Sequence, residues 1–253
     1  MKIFDSHAHY DDEAFDPDRE ALIGTLREKG VSEVLNVGAS FEGSLRSIEF
    51  AQKYDFFYAA AGIHPEYAQD AEERYLPQLE ALFERPKVLA VGEIGLDYHW
   101  AENPPRETQK RVFEKQIELA MKLGKPIIVH DRDAHADTLE ILRKYHPEGV
   151  MHCFSGSVEM MREILSLGMY LSLGGAVTFK NAKKAKAVAA AVPADRLLLE
   201  TDCPYMAPEP NRGKRCDSSM IRDTAAVIAE LRGEPIDLLV ARCRENTLKM
   251  LRL

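Results

Sequence analysis

Pro126-Ile127-Ile128-Val129-His130-Asp131 is a short, largely apolar run closed by a histidine and an aspartate. Continuous apolar character over four to eight residues is what a strand buried on both faces shows. Working outward, the same pattern recurs at Ile3–His9, Val31–Gly38, Phe56–His64, Val88–Gly95, Gly149–Phe154, Tyr170–Gly174 and Leu197–Asp202. Amphipathic, charged segments separate these runs: Pro17–Lys29, Gly43–Lys53, Tyr75–Glu84, Pro105–Leu123, Ala134–Tyr145, Ser157–Leu167, Asn181–Ala191 and Ser218–Leu231, with a last helix over Ile236–Leu251. Within Pro105–Leu123 the residues Val112, Phe113, Gln116, Ile117, Ala120 and Leu123 fall on one helical stripe. Eight strand–helix alternations in 253 residues predict an α/β chain folded as one TIM (β/α)8 barrel domain over residues 1–253. The competing open sheet lacks its G-x-G-x-x-G fingerprint.

Composition narrows the function classes. Apolar residues make up 45% and charged residues 29%, which excludes wholesale disorder. No apolar run reaches the ~18–20 residues of a membrane span, and the start of the chain has no apolar signal core. The net charge of −8 argues against a broad basic surface for duplex DNA. A local metal cluster would still supply positive charge to a nucleic-acid enzyme. Cys153, Cys203, Cys216 and Cys243 are scattered, without a CxxC pair, and fit reduced thiols of a cytoplasmic protein. No obligate protein partner is evident.

Polar residues interrupt the apolar runs at their C-terminal ends: His7 and His9, His64, Glu93, His130, His152 and Asp202. In a barrel those ends meet on the active face. His7 and His9, two apart on a strand, point the same way. Glu93 lies in an apolar run between Gly92 and Gly95, where a carboxylate is costly unless paired or metal-bound. Four imidazoles and two carboxylates exceed the needs of one zinc-like ion and suggest two ions ~3.5–4 Å apart. The expected division is His7, His9 and Asp202 on one ion, His130 and His152 on the other, and Glu93 between them. Nitrogen-rich ligands suit Zn²⁺, Mn²⁺, Ni²⁺ or Fe²⁺, whereas Mg²⁺ prefers oxygen.

FDSHAHYDDEAF, GIHPE, VGEIGLDYH, IIVHDRDA, MHCFSGS, LGGAVTFKNAKK, LLLETDCPYMAP, RGKR and ENTLKML follow one another along nearly the whole chain. On these stretches the sequence resembles the TatD family of metal-dependent deoxyribonucleases, among the amidohydrolase-like barrels. The resemblance implies a TIM barrel, a divalent-metal centre with Mg, Mn or Zn, and phosphodiester hydrolysis. The expected action is 3′–5′ exonuclease action on DNA, single strands or 3′ ends, with RNA as a further substrate. It places the family's ligands on His7, His9, Glu93, His130, His152 and Asp202, and a functional histidine at His64. One departure stands in Arg212–Ser218: Cys216 and Ser218 replace the family's Asn and Pro, and the loop is expected to border the mouth.

The expected catalytic residues are Asp202 as the water's base, Glu93 as the bridge and His64. Standing across the mouth, His64 would contact phosphate or protonate the leaving oxygen. His64, Arg132, Tyr205 and Arg212 are the substrate-binding candidates, with Lys214 a further phosphate contact. Lys183, Lys184 and Lys186 are expected to form a solvated face. Tyr98, Trp100 and above all Tyr205 are candidates for stacking bases, and Asp97 for supporting the ligands. Cys153 and Cys203, each following a proposed ligand on a strand, are expected to point away from the barrel interior. Two rivals remain: a hydrolase of a small amide, ester or lactone, which in many cases would carry a bridging lysine where Glu93 stands, and an inactive metal-binding scaffold.

Overall fold

The structure, a computed structural model, describes all 253 residues apart from the side chains of Asp70, Glu72 and Glu73. Eight parallel strands run in chain order around one sheet: β1 (Ile3–Ala8), β2 (Val31–Val37), β3 (Phe57–Ala61), β4 (Val88–Asp97), β5 (Ile127–Arg132), β6 (Gly149–Met151), β7 (Tyr170–Leu173) and β8 (Leu197–Leu199). The helices α1 (Arg19–Leu26), α2 (Phe41–Lys53), α3 (Leu76–Leu82), α4 (Arg106–Leu123), α5 (His135–Tyr145), α6 (Val158–Ser166), α7 (Lys183–Ala191) and α8 (Ile221–Arg232) alternate with them, and α9 (Ile236–Leu251) follows. This is the (β/α)8 barrel that the alternation predicts. Among the described residues no helix is long and apolar enough to cross a membrane.

The ring closes through the segment after β8 rather than through β8 alone. Asp202 N–H donates to the His7 carbonyl at 3.0 Å and His9 N–H to the Cys203 carbonyl at 2.8 Å. The buried Asp5 carboxylate accepts from the Thr201 amide at 3.0 Å and the Thr201 hydroxyl at 2.6 Å. Phe4, Leu35, Ala60, Ala90, Ile128, Val150, Tyr170 and Leu198, one from each strand, pack in one interior layer, and α9 ends against it with Met250 and Leu251. That layer is the floor beneath the mouth.

Three strands stop three residues short of their apolar runs. β3 ends at Ala61, β6 at Met151 and β8 at Leu199, so His64, His152 and Asp202 stand on the segments just beyond. The backbone turns beyond β6 and β8: Cys153 has φ +42° and Asp202 φ +62°, conformations a continuing strand cannot hold. Cys153 consequently does not face outward from a strand; it is half-buried at the rim. Cys203 is buried with Tyr10, Phe15 and Cys216.

Candidate metal centre

Period-two alternation delivers two of the histidines. Ile128 and Val150 belong to the interior layer, so His130 and His152, two residues further on, emerge into the mouth. β1 and β4 work differently. Each carries a register shift, between Asp5 and Ala8 and between Val91 and Ile94. The extra residue brings His7, three after Phe4, and Glu93, three after Ala90, to the same side as the floor. Gly95 lets β4 lie against β5: its φ is +146°, and a Cβ there would stand 1.9 Å from the His130 carbonyl oxygen.

The side chains converge on Glu93, which is 4% exposed. Its Oε1 lies 2.9 Å from His130 Nδ1 and 2.8 Å from His152 Nε2. Its Oε2 lies 3.5 Å from both His7 Nε2 and His9 Nε2. Asp202 Oδ1 sits 3.3 Å from His9 Nε2 and 3.8 Å from His7 Nε2. The two Nε2 atoms of His7 and His9 are only 3.0 Å apart.

The far ring nitrogens show which atoms are left for a cation. His9 Nδ1–H donates to the Val37 carbonyl at 2.8 Å, and His130 Nε2–H to Asp97 Oδ2 at 3.2 Å. Each bond aims the other nitrogen's lone pair at the cluster, the tautomer a metal ligand needs. His7 Nδ1 and His152 Nδ1 are buried without a hydrogen-bond partner, although Glu200 Oε1 stands 3.9 Å from the latter. Lone pairs and carboxylate oxygens crowded together at such distances fit a divalent cation.

Electrostatics agree with this geometry. Burial works against the charged ring of His9, but the Asp202 hydrogen bond and the Glu93 charge raise its pKa to about 10. Burial is likewise outweighed at His130, raised to about 9 by Asp97 and Glu93. Burial opposes the Glu93 charge, yet the surrounding imidazoles hold its pKa well below the carboxylate range. Burial and the nearby His152 lower His7 to about 4.

The cavity above these atoms has a volume of about 340 Å³. Its walls include Asp11, Asp12, Glu66 and Tyr67 beside His64 and Tyr205. His64 does not stand across the mouth. Its Nε2 is 3.8 Å from Glu93 Oε1, and its ring centroid is 4.4 Å from that of His130. Its Nδ1 accepts from Glu66 N–H at 3.2 Å, which leaves the hydrogen on Nε2. Burial and the neighbouring His130 lower its pKa to about 3. A neutral ring offers a hydrogen bond rather than a transferable proton.

The other candidates scatter around the rim. Tyr205 is 56% exposed and lines the cavity, with its hydroxyl donating to Asp12 at 2.6 Å. Arg132 lies over the Trp100 ring at 5.3 Å and Arg212 over Phe179 at 4.3 Å, both outside the central cavity. Lys214 bonds Asn211. Tyr98 is tied to Asp137 away from the mouth. Cys216 and Ser218 are buried against Tyr10, so the departure from the family pattern alters packing rather than the cavity wall.

Several residues that brace the site escape a reading of strand ends. Gln116 of α4 accepts from Ile63 N–H at 2.8 Å and donates to the Ile63 carbonyl at 3.0 Å, fixing the residue before His64. Gln109 clamps the Asp97 backbone in the same way. Buried Glu200 accepts from Ser172 and from Cys153 N–H, beside His152. Asn36 donates to Asp11 and accepts from Tyr10 N–H. Their signal in sequence is a polar residue inside an apolar strand or stripe.

The family model described as TatD related DNase matches residues 4–252. The uncharacterized metal-dependent hydrolase YabD of Bacillus subtilis is 43% identical over 254 residues, covering 99% of each chain. The 3′-5′ ssDNA/RNA exonuclease TatD of Cronobacter sakazakii is 34% identical, covering 98% of this chain and 97% of its own. The crystal structure of the TatD homologue YjjV from Escherichia coli superposes with a TM-score of 0.93 at 32% identity, over 99% of this chain and 98% of its own.

Proposed function

Given that the chain belongs to the TatD family of metal-dependent hydrolases, enzymes that act on ester bonds, we propose that it removes nucleotides from the 3′ end of single-stranded DNA, using two divalent cations. The observation that carries this reading is Glu93, whose Oε2 faces His7 and His9 and whose Oε1 faces His130 and His152. His7, His9 and Asp202 would hold one cation and His130 and His152 the other, with Glu93 shared. Bound there, divalent cations supply Lewis acidity that acidifies a water and neutralises charge on the phosphate.

The chain's own residues do the rest. Burial opposes the Asp202 charge, but the His9 hydrogen bond and nearby imidazoles hold its pKa below the usual range. It is therefore ionised and takes the proton of the attacking water. His64 directs Nε2–H at a phosphate oxygen. Tyr205, held by Asp12, offers its ring to the terminal base, and Arg132 meets phosphate on the rim. The name of the Cronobacter relative supports the 3′ direction and includes RNA as a second substrate.

The test uses metal-stripped protein and 5′-labelled single-stranded DNA, with Mg²⁺, Mn²⁺ or Zn²⁺ returned singly. A ladder shortening stepwise from the 3′ end, lost in Glu93→Ala, is expected. A folded protein that binds cations but leaves the strand intact under all three overturns the nuclease reading. An amide and lactone panel would then follow.

A further inference from the structure

The mouth has a second depression beside the metal cluster, on the β6–β8 side. Its volume is about 600 Å³, larger than the central cavity. Phe154 and Phe179 supply aromatic walls, while Lys180, Lys183, Lys184 and Arg212 surround them. We propose that this trough binds single-stranded nucleic acid upstream of the bond being cut, stacking a base on the Arg212–Phe179 pair and pairing its phosphates with the lysines. The assignment rests on the nuclease reading above.

Three observations carry it. The first is continuity: Cys153 and Met206 wall the trough, each immediately after a residue of the central cavity, His152 and Tyr205. A strand with its scissile phosphate at the metal cluster passes over these neighbouring residues into the trough. The second is charge. The chain carries −8 overall, and the opposite, β1–β3 side of the mouth presents Asp11, Asp12 and Glu66. Among the described residues none of the four trough cations takes part in an ion pair. A polyanion is repelled from one side and drawn to the other. The third is chemistry. Arg212 lies over the Phe179 ring at 4.3 Å, so the guanidinium covers that face and a base stacks on the outer side of the pair, the combination of aromatic ring and arginine used by sequence-tolerant single-strand sites. An acidic peptide would satisfy the cations but leave the aromatic wall without a flat partner.

This assignment changes the expectation for α7, whose Lys183 and Lys184 belong to a binding rim rather than to an idle solvated face.

The test compares two substrates. Thymidine 5′-(p-nitrophenyl phosphate) places a phosphodiester at the metal cluster with almost nothing upstream, whereas an oligothymidylate extends through the trough. Phe179→Ala and the surface variant Lys183→Glu/Lys184→Glu are assayed with Mn²⁺ on both. The ratio of kcat/KM on the oligonucleotide to that on the ester is expected to fall roughly tenfold for Phe179→Ala. For the double lysine variant, the slope of log binding constant against log salt, measured by anisotropy of a labelled oligothymidylate, is expected to flatten by about 1.4, two phosphate contacts at ~0.7 each. An unchanged ratio together with an unchanged slope overturns the trough assignment, as do equal losses on both substrates. A wild-type protein that cleaves the ester but not the oligonucleotide overturns the nuclease reading itself.

Discussion

At the scale of single residues, the cluster is organised by hydrogen bonds on its outer side. Asp97 Oδ2 accepts from His130 Nε2–H at 3.2 Å, and that bond leaves Nδ1 as the atom that would face a cation. Asp97→Asn weakens the acceptor and allows the amide to turn its donor toward the ring. Divalent-cation affinity is expected to fall about 10–100-fold, measured by competition with a chelating dye. Protons and cations compete for the same nitrogens. Without a cation, His9 and His130, raised to about 10 and about 9, carry protons at neutral pH. A cation must expel them, so apparent affinity strengthens as pH rises toward 9 and weakens as it falls. Calorimetric titrations at pH 6, 7 and 8 check this, and equal affinities across that range would contradict it. The six converging residues were legible because each interrupts an apolar run. Glu200 and Asp5 interrupt the same runs, and nothing in their spacing separates a buried hydrogen-bond acceptor from a ligand. Only the geometry does: Glu200 spends its oxygens on Ser172 and Cys153 N–H.

At the scale of elements, α4 is more than a cover for β4. Of its expected stripe, Val112, Phe113, Gln116, Ile117 and Ala120 pack inward and Leu123 is only half-buried, while Gln109 is buried beside them. Gln116 satisfies both backbone groups of Ile63 and thereby sets the approach to His64. Gln116→Ala strands a buried N–H and a buried carbonyl, each worth about 1–3 kcal/mol when unsatisfied. A lower Tm by chemical or thermal melting is expected, together with reduced phosphodiester turnover per folded molecule. Unchanged turnover would mean that His64 needs no such clamp. Strand existence was readable from apolar runs, whereas facing was readable only on β5 and β6. On β1 and β4 the register shifts next to His7 and Glu93 overturn simple alternation. A one-residue bulge leaves no mark in composition. The ends of β3, β6 and β8 were hidden for a related reason: apolar character continues into loops that still pack against the barrel.

At the scale of the whole molecule, eight short strands place residues from both ends of the chain around one carboxylate. The closure between β1 and the segment after β8 holds His7 and His9 against Asp202. Floor and mouth are built from different layers. Met250, 5% exposed, belongs to the floor. Met250→Ala is expected to cost about 2–5 kcal/mol of stability, read as a lower denaturation midpoint, with the number of bound cations preserved. The barrel itself was legible from the alternation of apolar runs and amphipathic segments. The charge division of the mouth was not, because Asp11, Asp12 and Glu66 and the lysines of α7 are ordinary surface residues in sequence and acquire opposite sides only when the ring closes. Sharing of Glu93 between two cation sites is read out by anomalous diffraction from Mn²⁺-loaded crystals. Two peaks are expected, one beside Glu93 Oε2 with His7, His9 and Asp202, the other beside Oε1 with His130 and His152. A single peak, or two peaks of which one does not touch Glu93, would contradict it.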